Sequence, residues 1–504
     1  MKSRLEYTKR NIAVSSTSMI IQAFFSFVSR SVIIYCLGSK YLGLSSLFSS
    51  ILMVLNVAEL GFTSSIVYFM YKPIAENDVN RVCSLLAYLK KVYRLVGLAI
   101  LVCGILSIPI LPKLISGNTP SDINIYILYI LYLINTSSSY FLSAHKTALL
   151  TAIQRLDLTK VVSIIAMLVQ YILQFISLLF FKNYYLFVIS MIIGTILTNA
   201  LSAYLCDKKY PQYKCKGVIS SDDKRAIWHK IRGLLVCNIS IVTYSTLDSI
   251  VLSAYVGLIS VAMYSNYMTI YKAINQCFVM VRASMQSSVG NSVACESKRK
   301  NLHDLMLWQF IFSFLATWCS VCMLCLYQPF MSIWMGEKLL LPFIDVILLV
   351  VWFSFDIVQQ AQNLYIQSTG LWNEMKLSYI FNTICNLLLN VILGKYLGVA
   401  GILIASLVTC IISGTFWQVI ILFKNYFGCS SKEYIINYFK YLFWGILIAV
   451  ITFFVCFQIK SEGLIELFFK GIICIIVPFP LLYVIYRNNP IFKEAKSLLQ
   501  RMIF

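Results

Sequence analysis

A chain of 504 residues that is 60% hydrophobic and only 12% charged, with a mean hydropathy of +0.81, has too little polar surface to dissolve in water as a globular domain. Its net charge of +21 would suggest a nucleic-acid partner in a soluble protein, but in a membrane protein it is first a bias among loops. The composition excludes a soluble fold and predicts an all-α polytopic membrane protein with no nucleic-acid partner.

The residues from Met1 to Arg10 form a short basic tail. Asn11 to Leu37 is too long for a signal-peptide core and lacks a small-residue cleavage site, so it reads as an uncleaved first span. Apolar segments follow at 42–71, 92–112, 123–145, 161–181 and 185–206, then at 233–256, 261–290, 305–327, 342–368, 377–394, 399–423, 441–458 and 464–486. The expectation is about 14 helices. Assigning the tails and every second loop to the cytoplasm places about 31 of the 41 Lys and Arg residues there, which fixes both termini inside. The basic segment 207–232 contains Lys208, Lys209, Lys214, Lys216, Lys224, Arg225, Lys230 and Arg232. It reads as a cytoplasmic connector between an N-terminal lobe (1–206) and a C-terminal lobe (233–423), with Ser221 as the cap of a short interfacial helix. Residues 424–504 add two further spans and a tail. Outer loops of about 4 to 14 residues leave no room for an extracytoplasmic domain.

Most of the 16 cysteines fall within predicted spans. Cys319, Cys322 and Cys325 form a C-x2-C-x2-C run, but no fourth ligand or polar surrounding is evident nearby, and the run reads as small apolar side chains in a bundle. His145, His229 and His303 share no metal-ligand spacing. No catalytic set, metal site or cofactor is expected.

Internal repetition is the next signal. Sliding one half onto the other places Cys36-Leu37-Gly38 over Tyr255-Val256-Gly257, and Asn56 over Asn275. The copies fall on spans one and two, then seven and eight, so they keep the same orientation, which makes a parallel repeat. In the first span Ser15, Ser18, Gln22, Ser26 and Arg30 share one helix face. Serines alone would equally serve helix packing. In span eight Lys272, Asn275, Arg282 and Gln286 follow the same spacing, and the two cations lie about 15 Å apart along the axis. Span ten carries Asp345, Trp352, Asp356, Gln360, Asn363 and Gln367 on one face, an indole with carboxylates and amides that suits sugar hydroxyls and sugar faces, or else polar contact between helices.

Charges inside spans are costly and mark cavities, pathways or static pairs. Arg30, Lys272 and Arg282 are balanced by Glu59, Asp248 and Asp356. The expected roles are cationic cavity residues for the first three, cavity acids or coupling groups for the second three, and glycan-facing residues for Trp352, Gln360, Asn363 and Gln367.

The stretch Leu247-Asp248-Ser249-Ile250-Val251-Leu252-Ser253-Ala254-Tyr255-Val256-Gly257, continued by Val261-Ala262-Met263-Tyr264-Ser265-Asn266-Tyr267, resembles the seventh-to-eighth-span signature of Wzx-type polysaccharide flippases. Leu37-Gly38 to Leu42-Gly43-Leu44, Ala58-Glu59-Leu60-Gly61, and Gly398-Val399-Ala400-Gly401 resemble further motifs of that family. The resemblance covers almost the whole chain. It implies membership of the multidrug/oligosaccharidyl-lipid/polysaccharide exporter superfamily, with two six-helix lobes that rock between inward-open and outward-open states. It further implies translocation of polyprenyl-diphosphate-linked oligosaccharides across the bacterial cytoplasmic (inner) membrane for surface polysaccharide such as O-antigen or capsule. On this reading Arg30, Lys272 and Arg282 receive the diphosphate, and the last two spans support a groove for the polyprenyl tail. Partners would be the lipid-linked glycan, membrane lipids, H+ or Na+ as coupling ion, and the polysaccharide polymerase machinery.

Two other functions fit an apolar multi-span chain. A cation-coupled multidrug antiporter of the same superfamily often carries an acidic residue in its first span, and none occurs here. A membrane-embedded polymerase would need a sizeable outer loop, and an acyltransferase a well-placed intramembrane histidine.

Overall fold

The computed structural model describes residues 4–59, 62–459 and 463–503. Leu60 and Gly61 of the A-E-L-G motif lie outside these, as do the side chains of Ser15, Ala58, His229, Lys230 and Arg232. Every regular element among the described residues is helical. The chain separates into two compact units, Met1–Ala262 and Met263–Phe504.

In the first unit, α1 (Arg4–Cys36), α2 (Ser39–Leu55), α3 (Phe62–Ala75), α4 (Val79–Ser107), α5 (Ile125–Phe141), α6 (Ala144–Ala152), α7 (Leu156–Leu179), α8 (Tyr184–Lys209) and α9 (Ser221–Tyr255) follow in order. Local chemistry sets their starts. The side chains of Asp78, Asn124 and Asn183 accept backbone N–H bonds at the first turns of α4, α5 and α8, satisfying donors that have no partner within the helix. The core gathers Leu44, Leu47 and Phe48 of α2, Leu86 and Leu89 of α4, and Tyr129 and Leu133 of α5.

The segment 42–71, read as one span, is two helices with a 3-10 turn at Asn56–Glu59 between them. The connector contains no separate short helix. Ser220, not Ser221, caps α9 by accepting from the Asp223 N–H at 3.1 Å, and α9 then runs on without a break for 35 residues. Ile227 and Ile231 are buried in the first unit's core, Phe62 meets Trp228 edge to face, and Trp228 Nε1 donates to Tyr88 at 3.1 Å. This packing carries the compact unit past the sequence-drawn boundaries at 206 and 233.

The second unit holds most of α10 (Leu258–Cys295), then α11 (Lys298–Met335), α12 (Phe343–Thr369), α13 (Trp372–Leu397), α14 (Val399–Thr409), α15 (Val419–Leu422), α16 (Lys432–Phe457), α17 (Gly463–Ile476), α18 (Pro478–Tyr486) and α19 (Pro490–Ile503). The residues Cys410–Gln418 and Phe423–Phe427 are π-helical, a wide winding that is rare in proteins and that side-chain donors brace from α12. Two buried amides of α12 do this. Gln359 Nε2 donates to the Cys410 carbonyl at 3.0 Å and Gln362 Nε2 to the Gly414 carbonyl at 2.7 Å. A Cβ on Gly414 would lie 2.3 Å from Gln359 Oε1, so only glycine admits this approach.

Large apolar side chains stand outward along the long helices, such as Ile165, Ile172 and Ile176 on α7 and Ile436, Phe443 and Phe454 on α16. Faces of this kind belong against hydrocarbon. Among the described residues, 11 helices are long and apolar enough to cross a membrane, or up to 12 if the bent pair α5–α6 is one span. That is fewer than the 14 expected. The difference lies in the break after α2 and in α10, whose Asn266, Lys272, Asn275, Gln276, Arg282 and Gln286 dilute its apolar content. The repeated turn has a structural counterpart. Leu37 and Gly38 both donate to the Ile33 carbonyl, as Val256 and Gly257 both donate to that of Leu252, and the two glycines have φ of 102° and 110°, a region that favours glycine.

Candidate functional site

In the first unit, Glu59 ends the 3-10 turn between α2 and α3, where the break in the helix presents it to its neighbours. Tyr140 of α5 donates to Glu59 Oε2 at 2.5 Å and Thr63 to Oε1 at 3.0 Å. The Thr63 hydroxyl is in turn 2.6 Å from that of Tyr93 on α4. The acid is therefore held by hydroxyls, which satisfy a carboxylate and still leave it able to exchange a proton or an ion. Tyr140, Thr63 and Tyr93 are neighbours of Glu59 that sequence reading missed. They come from three different helices, and although Thr63 is only four residues from Glu59, no local spacing connects Tyr93 or Tyr140 to it.

Arg30 is half-buried on α1, and its charge acts on the phenols of Tyr171 and Tyr184. Tyr171 stacks on Phe25 at 4.9 Å, while Tyr184 lies 3.0 Å from the Tyr132 hydroxyl and donates to the Tyr41 carbonyl at 3.2 Å. The cation thus sits beside a phenol network fixed by α2, α5, α7 and α8. Asp248 of α9 is 4% exposed, a degree of burial that requires hydrogen-bonded company for a carboxylate.

In the second unit the seam of α12 meets α10. Asp356 Oδ2 accepts from the Tyr271 hydroxyl and from Asn275 Nδ2, both at 2.7 Å. Tyr271 and Asn275 are one turn apart on α10, so a single helix face supplies both donors. Arg282 lies within electrostatic reach of Asp356 and of Tyr379. Trp352 is buried and stacks on Tyr271 with ring centroids 4.9 Å apart. Gln360, also buried, turns its amide nitrogen toward the Asp356 carbonyl at 3.4 Å. The acceptor oxygens of Gln360, Asn275 and Gln286 are buried without partners among the described residues. Asn363 and Gln367 continue the same face half-buried, and Lys272 is exposed on α10. The fold brings Arg282, Asp356, Trp352 and Gln360 into one neighbourhood. Trp352 and Gln360 are covered by protein in this conformation, whereas Asn363 and Gln367 retain access.

A cavity of about 420 Å³ opens between α11, α12 and α16. Ala316, Leu324, Ile347, Val351, Ala449 and Phe453 are among its lining residues, together with the hydroxyl-bearing Ser313, Thr317, Ser320 and Ser354. Three of those hydroxyls are turned back onto the protein: Ser320 and Ser354 lie 2.7 Å from each other, and Thr317 donates to the Ser313 carbonyl. What remains is an apolar slot against α16.

The model of the family described as "Polysaccharide biosynthesis protein" matches residues 8–285. The chain belongs to this family. The exporter resemblance read from the motifs is thereby borne out at family level, and solved structures agree on the fold. The lipid II flippase MurJ, in an inward closed conformation, aligns with a TM-score of 0.67 at 17% identity, covering 95% of this chain and 99% of that one. A multidrug resistance MATE family transporter of the MOP superfamily, inward-facing, gives a TM-score of 0.64 at 15% identity over 82% of this chain and 99% of that one. The Vibrio cholerae MATE transporter VcmN gives 0.56 at 14% identity over 84% and 99%. No curated protein sequence matches the chain.

Proposed function

We propose that this family member is a flippase that moves polyprenyl-diphosphate-linked oligosaccharide units across the bacterial cytoplasmic membrane by alternating access, supplying repeat units for a surface polysaccharide of the O-antigen or capsule kind. The observation that carries this reading is the apolar cavity against α16, a helix beyond a twelve-helix core. A slot of about 420 Å³ with almost no free polar group suits part of a prenyl chain, and a soluble drug-like cation would leave it without purpose. Family membership and a flippase fold that aligns with nearly the entire chain support the same reading.

The remaining groups then divide the labour. Arg30, Lys272 and Arg282 receive the diphosphate, because a doubly charged head group leaving water needs cations and N–H donors in place of its hydration. Asp356, Gln360, Asn363, Gln367 and Trp352 contact the glycan once α12 is uncovered in the transport cycle. Glu59, in its cradle of hydroxyls, is the site for a coupling proton or sodium ion, with Asp248 and Asp356 as further acids. The two copies of the turn at Gly38 and Gly257 mark two six-helix lobes related by a parallel repeat, with the basic connector and both termini on the cytoplasmic side.

The test is reconstitution of the purified full chain in vesicles carrying a prenyl-diphosphate oligosaccharide, with leaflet accessibility of the glycan read by an added lectin or glycosidase under imposed proton or sodium gradients. Faster transbilayer movement than in empty vesicles, lost in Arg282→Ala, is the expected result. Gradient-driven uptake of organic cations with no glycan movement would replace the reading with a drug antiporter.

A further inference from the structure

Sequence spacing left Cys322 and Cys325 without further ligands, but the fold supplies two. The Sγ atoms of Cys325 on α11, Cys456 on α16 and Cys474 on α17 all lie within 4.8 Å of one another, and all three residues are buried. Cys322, one turn before Cys325 on the same face, lies close enough to interact with Cys474. Three thiols from three helices therefore converge on one point, drawn from positions up to 149 residues apart, with the Cys322 thiol beside them.

The geometry is that of a small ligand set. A tetrahedral zinc site with metal–sulfur bonds of about 2.3 Å places its sulfurs roughly 3.8 Å apart, so the three closest thiols need to contract only slightly. The surroundings are dry. Val321, Leu326, Phe453 and Ile473 belong to the core that encloses the cluster, which keeps out water and the oxygen ligands that hard cations need. The supports are fixed as well, since Trp318 Nε1 donates to the Cys474 carbonyl at 3.1 Å and pins α17 to α11. One cation is at hand for the charge that thiolates bring. Lys470 of α17 acts on Cys456 and is itself held by Glu466 at 2.5 Å.

We infer that Cys322, Cys325, Cys456 and Cys474 form a binding site for a thiophilic d10 metal ion, zinc(II) or copper(I), that ties α16 and α17 to α11. On binding, each coordinating thiol gives up its proton to solvent and forms one sulfur–metal bond, with no change of oxidation state. The position of the site gives it a use. Leu324 and Phe453, which line the apolar cavity, are each within three residues of a cluster cysteine, so a bound ion would fix one wall of that cavity. The site does not depend on the transport reading.

The experiment uses the full chain purified in detergent under reducing, anaerobic conditions, loaded with zinc alone or copper(I) alone, desalted, and analysed for metal per chain. About one zinc or one copper per wild-type chain is expected, with at least a tenfold loss in Cys456→Ser and in Cys474→Ser and none in Cys385→Ser, a cysteine outside the cluster. Loading with cobalt(II) should add sulfur-to-cobalt charge-transfer bands and the visible bands of a tetrahedral site, a readout in the wild-type chain that does not need any variant to fold. Metal content in the wild type no greater than in Cys456→Ser, or a disulfide between two of these cysteines in protein taken directly from cells, would overturn the inference.

Discussion

Tyr271 donates its hydroxyl hydrogen to Asp356 Oδ2 at 2.7 Å, and the same carboxylate oxygen accepts from Asn275 one turn further along α10. Two donors on one oxygen compete for the same lone pairs, so losing one allows the other to tighten. Tyr271→Phe and Asn275→Ala should each cost about 1–2 kcal/mol, and the double variant, in which no remaining donor can compensate, should cost more than the sum. Thermal unfolding of the purified protein measures this, and strict additivity would mean that the two bonds are independent.

Arg282 acts on Asp356, yet among the described residues the two form no direct ion pair. If Arg282 serves a passing diphosphate, Arg282→Ala lowers surface glycan while membrane abundance stays the same, and Asp356→Asn in the same chain does not restore it. Recovery in the double variant would show that the arginine exists to neutralise the acid. Arg30→Lys should fall between wild type and Arg30→Ala, because it keeps the charge and loses the planar fork.

Glu59 is held by Tyr140 and Thr63, with no cation needed to explain its placement. Glu59→Gln keeps an acceptor for both hydroxyls and removes the charge, so the protein should remain abundant while transport stops responding to an imposed gradient. Glu59→Ala should in addition lose about 1–3 kcal/mol, since it strands the buried Tyr140 hydroxyl. Equal gradient response in wild type and Glu59→Gln would remove the coupling role.

Gly414→Ala puts a methyl group 2.3 Å from Gln359 Oε1, forcing away the side chain that satisfies the Cys410 carbonyl. A loss of about 1–3 kcal/mol is expected. The clash and the lost bond share a single cause, so adding Gly414→Ala to Gln359→Ala should cost much less than adding it to wild type. Melting temperatures of the four proteins decide the point.

Filling the slot against α16 should discriminate by tail length. Ala449→Trp places an indole among the lining residues of the cavity, and transport of a long-prenyl substrate should drop severalfold while a short-prenyl analogue crosses at close to the wild-type rate. An equal loss for both would mean that the cavity does not receive the tail.

The parts of this molecule legible in the sequence are those written at helical spacing. Asn275 and Arg282 share a face of α10 and Asp356 and Gln360 a face of α12, so much of the polar neighbourhood of the second unit could be read before its contacts were known, although the spacing picked out Lys272, which is exposed, and not the adjacent Tyr271, which bonds Asp356. The glycine turn was legible for the same reason: Gly38 and Gly257 end helices in the same way, and the backbone repeats hydrogen bond for hydrogen bond. What escaped comes from distant pieces of chain. The hydroxyl of Tyr140 reaches Glu59 from 81 residues away, and Cys456 and Cys474 reach Cys325 from other helices, so no local pattern announces either. The amides of Gln359 and Gln362 were invisible too, because their partners are backbone carbonyls of a π-helical segment about 50 residues on, which side-chain periodicity does not encode. The break after α2 was lost in a run of apolar residues on both sides, interrupted by Asn56, Glu59 and Gly61.

The 35 residues of α9 make a rod about 52 Å long at 1.5 Å per residue, against about 30 Å of hydrocarbon to cross. Some four turns therefore stand in the aqueous phase, and Arg81 of α4 clasps them there through two hydrogen bonds to Asp223, the shorter 2.7 Å. A chain that leaves the membrane as a braced strut behaves unlike a slack tether. Because Ile227, Ile231 and Trp228 pack that strut into the first unit, a tilt of the intramembrane part of α9 would carry the basic loop and its packing partners together, as a lever carries whatever is fastened to its far end.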